Sequence, residues 1–305
     1  MEVLVVGNTA YVDDDFCAKA FPGDHVKVVA AAEARRDESS PHASWKELLQ
    51  HLEQAYEFDR VVYLSNYLTP HTDTVGDIEL LRSVFRTCAG RRVQLLYVAG
   101  PAGAEGAADA AGRTGKGIIA HAANDLCRYY AAREGVQTKI LRVPFLYTAS
   151  AALEDPFLVP LFDACSTGSA ALQGAQDAAF PLLCAEELSV LVRRIFDSWN
   201  GNFETLDVAD AFHHTVGEVG DALKALFPGL SVAYGDSVGY ALPASDVARV
   251  RYGWFQRYDL LRDLSTIQAR WDAGRAKKVN PLRAAIDRIQ LRTLPIKCLE
   301  TGVAW

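Results

Sequence analysis

Val3-Leu4-Val5-Val6-Gly7-Asn8-Thr9-Ala10-Tyr11-Val12-Asp13 is the stretch that decides the fold. Four consecutive apolar residues suit a strand buried on both faces, because neither alternate set of side chains then meets water. Gly7 closes the run. Asp13, Asp14 and Asp15 mark the start of a helix, where carboxylates satisfy free amides and complement the dipole.

Further runs of the same kind follow at Val26 to Ala30, Val61 to Leu64, Val93 to Val98 and Thr138 to Leu141. Helical spacing separates them. Trp45, Leu48, Leu49 and Leu52 recur at i, i+3, i+4 and i+7, Ile78, Leu81 and Phe85 at i, i+3 and i+7, and a further helix spans about 117–133 before Gly135. Strands alternating with helices of this length make βαβ units and a parallel sheet. The fold class is therefore α/β, a doubly wound parallel sheet over residues 1–160. A smaller α+β lobe occupies 161–275, with helices at Ala185 to Trp199 and Thr215 to Phe227 and a strand at Phe203 to Val208. Helix 185–199 is expected to pack back on the first domain, and 163–180, small and polar, reads as a crossing segment. Residues 276–305 read as a helical extension or a connector to a further module: Asn280 caps, Pro281 takes the first helical position, and Leu282, Ala285, Ile286 and Ile289 form one stripe.

Composition narrows the class of partner. The 305 residues are 50% hydrophobic and carry 31 basic against 38 acidic side chains, a net charge of −7. A protein gripping a phosphate backbone needs the opposite sign, so nucleic acid is excluded as the main partner. No uncharged apolar stretch is long enough to span a bilayer, and the N-terminus enters a strand without a basic leader, so a cytoplasmic location is expected. The six cysteines lack C-x-x-C spacing, which argues against structural zinc and a disulfide scaffold. His213-His214, the one histidine pair, points its rings apart and reads as loop or helix-start polarity.

The turn after the first strand sits where a dinucleotide-binding turn would. There the first glycine makes the bend, the second admits the pyrophosphate, and the third lets helix and strand pack closely. Gly7 keeps the first position, Ala10 stands at the second and Asp13 at the third. Asp13 to Asp15 read as helix caps; alternatively they oppose a bound diphosphate.

Taken together, several strings resemble the extended short-chain dehydrogenase/reductases, the NAD-dependent epimerase/dehydratase family acting on nucleotide sugars. They are Phe58-Asp59-Arg60-Val61-Val62-Tyr63-Leu64-Ser65, Asp73-Thr74-Val75-Gly76-Asp77, Asn124-Asp125-Leu126-Cys127-Arg128-Tyr129-Tyr130, Ile140-Leu141-Arg142-Val143-Pro144 and Arg249-Val250-Arg251-Tyr252-Gly253-Trp254. The resemblance covers about residues 1–260. It implies a Rossmann domain with a substrate lobe. It also implies NAD or NADP as cofactor and contacts to it from Gly7, Thr9, Ala10, Tyr11, Val12, Ser65, Asn66 and Pro144. A nucleotide or nucleotide-sugar ligand and a homodimer through the helices near 73–88 and 117–133 are implied as well.

The family's reaction uses a Ser/Thr with a tyrosine and lysine spaced Y-x-x-x-K, the lysine lowering the tyrosine's pKa for proton transfer. Here those positions carry Gly100, Lys116 and Ala120, and the lobe's phosphate-gripping arginine is replaced by Phe180. No catalytic residue is assigned, and cofactor binding is expected to be weak or lost. Lys116 as an anion donor, Arg35-Arg36 as a 2′-phosphate contact favouring NADP and His121 as an acid or base are weighed against solvation or structural roles, which are preferred. Cys165 and Cys184 have no base beside them, and no G-x-S-x-G elbow occurs. The sequence leaves two functions: a nucleotide-binding, sensing or interaction module, and a divergent active epimerase, dehydratase or reductase.

Overall fold

The computed structural model describes residues 1–30, 58–65, 75–101, 115–149, 155–172, 174–209, 211–235 and 245–279. The first five strands are β1 (Glu2–Gly7), β2 (His25–Ala30), β3 (Arg60–Leu64), β4 (Gln94–Ala99) and β5 (Gln137–Arg142). Then come β6 (Phe145–Tyr147), β7 (Ser169–Leu172), β8 (Leu182–Cys184), β9 (Phe203–Asp207) and β10 (Ser231–Tyr234). The helices are α1 (Asp14–Ala20), α2 (Val75–Cys88), α3 (Gly115–Arg133), α4 (Leu158–Ser166), α5 (Ala185–Asp197), α6 (Val216–Leu226), α7 (Val247–Tyr252) and α8 (Leu260–Val279).

Six strands form one parallel sheet in the order β2-β1-β3-β4-β5-β9. The apolar run at its centre is continuous because each face has its own core. Val3, Val5, Val62, Leu64, Leu96 and Val98 enter one, closed by Phe16 and Ala20 of α1 and Leu188, Leu191, Val192 and Ile195 of α5. Leu4, Val6, Val61, Tyr63, Leu95 and Tyr97 enter the other, beneath Leu81, Val84 and Phe85 of α2 and Cys127 and Tyr130 of α3. Each fully buried aliphatic or aromatic side chain contributes about 1.5–3 kcal/mol, so neither helical layer can be removed without loss of the sheet. This is the doubly wound α/β architecture the periodicity predicts.

Two expectations for the second half are corrected. The strand at Phe203–Asp207 belongs to the main sheet, not the smaller lobe: it pairs with β5 from Thr138 opposite Phe203 to Arg142 opposite Asp207. The helix α5 returns the chain to the sheet, as a parallel crossover must. The supposed crossing segment at 163–180 holds the end of α4 and β7, whose Ala170 and Leu172 point inward while their neighbours face water. β7 pairs in parallel with β10.

The lobe has a third core, built from Phe145 and Tyr147, Phe157 and Phe162, Val219 and Leu223, and Leu264 and Trp271. The turn after α7 bolts it to the sheet domain. Gly253 ends α7 at φ 60°. Beyond it the Trp254 indole N–H donates to the Glu187 carbonyl at 3.1 Å and the Gln256 amide to the Leu182 carbonyl at 2.7 Å.

The helix read around Trp45 to Leu52, the Arg35-Arg36 pair, Asn66, Cys298 and the extension from Asn280 lie outside the described residues. Among the described residues no helix is long and apolar enough to cross a membrane.

Candidate functional site at the carboxyl edge of the sheet

Strand β1 has β2 on one side and β3 on the other, so successive connections leave in opposite directions. In doubly wound sheets the crevice outside the strand ends at such a switch point is where ligands bind. Gly7 forms its floor, at φ 108°. A Cβ there would lie 2.2 Å from the Leu64 carbonyl oxygen, which also accepts the Asn8 N–H at 2.7 Å. Only glycine permits that approach.

The sequence-predicted residues divide. Thr9 to Tyr11 form a single 3-10 turn one residue beyond Gly7, after Asn8, with Val12 following it. Ser65, fully buried, follows β3 and donates its N–H to the Val98 carbonyl at 2.9 Å. Pro144 is two strands further along, after β5. Within the turn, Tyr11 points inward: its hydroxyl donates to the Leu146 carbonyl at 2.8 Å, and burial, with Asp155 nearby, holds its phenol well above the usual range. It is a strut between lobes.

Asp13 settles the reading of the acidic run. Its carboxylate accepts the Phe16 N–H at 2.7 Å, capping α1, and Asp14 and Asp15 occupy the first turn. The capping reading of these aspartates is the observed one. The positive end of α1 is thereby occupied by the protein's own carboxylate, at the position where a bound diphosphate would need amides. Gly7 suits a dinucleotide turn; the charge at Asp13 does not.

A second cleft opens where β4 and β5 end. It has a volume of about 20 Å³, room for about one water molecule, and its walls include Gly100, Ala120, His121, Asn124 and Arg142. The structure thus brings Gly100 and Ala120 together around one space, with a backbone and a methyl where the resemblance places a hydroxyl and an amine. Lys116 lies one turn earlier in α3. Arg142 does not face the cleft as a free cation: its guanidinium makes two bonds to Asp207, at 2.5 and 3.0 Å.

Sequence reasoning missed two buried carboxylates. Asp155, 1% exposed, accepts the N–H groups of Thr148, Phe157 and Leu158 at 2.6–2.8 Å and ties the end of β6 to the start of α4. Burial pushes its carboxyl up to about 6 despite those bonds. Its signal was local: an aspartate three residues before the apolar run at Leu158. Glu187 accepts the amides of Arg257 and Tyr258 at 2.6 and 3.2 Å, and burial raises its carboxyl as well.

His214 Nε2 lies 2.7 Å from Asp259 Oδ1 just before α6, and no cluster of three or more metal-ligating side chains occurs among the described residues. Cys88, Cys127, Cys165 and Cys184 are free and buried, with thiols raised by burial.

No family model matches the sequence, and no curated protein resembles it in sequence. Solved structures do match in fold. A UDP-glucuronic acid 4-epimerase from Bacillus cereus, solved with UDP-glucuronic acid and NAD, superposes with a TM-score of 0.66 at 12% identity, over 90% of this chain and 99% of that one. A dTDP-glucose 4,6-dehydratase from Bacillus anthracis, solved with NAD, also gives 0.66 at 12% identity, over 90% and 97%. An L-threonine dehydrogenase from Cupriavidus necator gives 0.54 at 18% identity, over 88% and 98%. Nearly the whole length of each is matched, both lobes included. The chain therefore has the fold of the extended short-chain dehydrogenase/reductases, that of the NAD-dependent epimerases and dehydratases.

Proposed function

We propose that the protein is a nucleotide- or nucleotide-sugar-binding module on an epimerase/dehydratase fold, without the Ser/Tyr/Lys chemistry of that fold. The observation that carries this is the cleft at the ends of β4 and β5, where Gly100 and Ala120 offer no proton donor or acceptor from their side chains. Removing one positioned acid or base typically costs about 10²- to 10⁴-fold, and here more than one is missing. The capped α1 supports a second element of the reading: NAD or NADP binds weakly or not at all. The module senses its ligand or presents it to a protein partner.

His121, on the wall of the same cleft, favours a second reading, a divergent enzyme in which this imidazole moves the proton. One pair of measurements separates them. Calorimetry with UDP-glucose and dTDP-glucose reads binding, and product analysis under the same conditions reads turnover, with a mock purification as control. Binding without turnover is expected. Turnover near about 1 s⁻¹ that disappears in His121→Ala would establish the enzyme instead.

A further inference from the structure

On the α1 side of the crevice, between the two lobes, lies a cavity of about 340 Å³. That is within the range of small-ligand pockets. It shares no residue with the cleft at Gly100 or with the turn from Gly7 to Asp13. Its lining includes Asp15 and Lys19 of α1, Asp263 and Arg270 of α8, and Glu186 and Tyr258.

The charges in it are unevenly matched. Lys19 pairs with Asp15 at 2.5 Å, and Arg270 donates to the Ala149 carbonyl, so both cations are engaged. Glu186 accepts the Cys184 thiol at 2.7 Å. Asp263 is half-buried, and its carboxylate makes no hydrogen bond or ion pair among the described residues. Beside Cys184, its partner across β6 and β8, the Tyr147 hydroxyl is buried without a hydrogen-bond partner. Burial first, and then the nearby carboxylates of Asp263, Glu187 and Asp259, hold its phenol far above the usual range. The Tyr258 ring, 47% exposed, adds a π face. Carboxylate acceptors with an adjacent aromatic face are the chemistry that holds an organic ammonium. The space is far larger than a bare metal ion fills, so an ion with a carbon body suits it better.

We propose that this inter-lobe cavity binds a small organic amine, its ammonium received by Asp263 and Glu186 and its carbon portion lying against Tyr258 and Ile267. The proposal is independent of the function assigned to the sheet edge.

The test uses n-butylamine as probe and n-butanol as its neutral counterpart, followed by saturation-transfer NMR on the full chain. Butylamine binds in the millimolar range, n-butanol shows no comparable binding, and Asp263→Asn weakens the amine about tenfold, as loss of one charge-assisted bond requires. Glu186→Gln provides the same readout should Asp263→Asn lower the melting temperature. Equal binding of n-butanol, or amine binding that survives both substitutions, overturns the proposal. So does saturation of the cavity by inorganic phosphate in place of the amine.

Discussion

Replacing Asp13 is the sharpest test of whether charge at the turn opposes a bound cofactor. In the wild-type chain the Asp13 carboxylate caps α1 through the Phe16 amide at 2.7 Å. A phosphate seated on that helix end would place a negative charge about 5 Å from it, a repulsion of roughly 3 kcal/mol at an effective dielectric of 20. Asp13 is exposed and ions screen it, so about 1 kcal/mol is the part expected to survive. That is about a fivefold change in affinity. The wild-type protein should bind NAD with a Kd above about 100 μM, weaker than about −5.5 kcal/mol. Asp13→Gly removes charge and bulk together and should bring Kd to about 20 μM by the same arithmetic. Asp13→Asn keeps a capping oxygen and removes only the charge, so its Kd apportions the two effects. Both variants stay folded: a glycine cap costs a few tenths of a kcal/mol and the lost dipole interaction about 0.3–1. Isothermal calorimetry at low ionic strength is the assay. Low-micromolar binding by the wild-type chain, or no gain in either variant, would refute the charge argument.

Three further outcomes follow from the geometry. Gly7→Ala places a Cβ 2.2 Å from the Leu64 carbonyl at φ 108°, and should cost about 3 kcal/mol or more in urea unfolding; an unchanged midpoint would mean the turn takes another path. Asp155 holds its proton more tightly folded than unfolded, about 6 against an ordinary 3.8, so its contribution is greatest below about pH 4 and falls by about 3 kcal/mol as pH rises to about 6. Asp155→Asn should flatten that slope in a pH series of melting temperatures; an identical slope in the variant would remove Asp155 as its source. Glu187→Gln leaves one of the Arg257 and Tyr258 amides facing an N–H₂ group, and should destabilise by about 1–3 kcal/mol by chemical denaturation, against no change if those bonds are incidental.

How much of this was legible in the sequence depended on where the stabilising contacts lie. The central strands could be read because both faces are buried and every position of Val3 to Val6 is apolar. The caps could be read because Asp13 and its target Phe16 are three residues apart. Phe203–Asp207 was legible as a strand but not as a member of the main sheet, for a physical reason: as the edge strand it has only Leu206 buried. Its polar residues make sense only beside β5, where Glu204 meets Lys139 and Asp207 meets Arg142 across 65 positions of sequence. The inter-lobe cavity was invisible for the same reason, since Asp15 and Asp263 line one space only in the folded chain.

Those pairings bear on function as well as assignment. A site for an anionic ligand needs cations free to receive it; Arg142 stands at the carboxyl end of β5 and Lys19 in the last turn of α1. Arg142 is engaged by Asp207 and Lys19 by Asp15. The Phe16 amide at the start of α1 is capped by Asp13. Each engagement must be broken, with desolvation of the partner left behind, before that group can hold a phosphate. A diphosphate arriving at this edge therefore meets the geometry of a binding crevice with its positive charge already spent among these residues. On the function proposed above, that combination places a nucleotide sugar's affinity on contacts to its base and sugar more than on its phosphates.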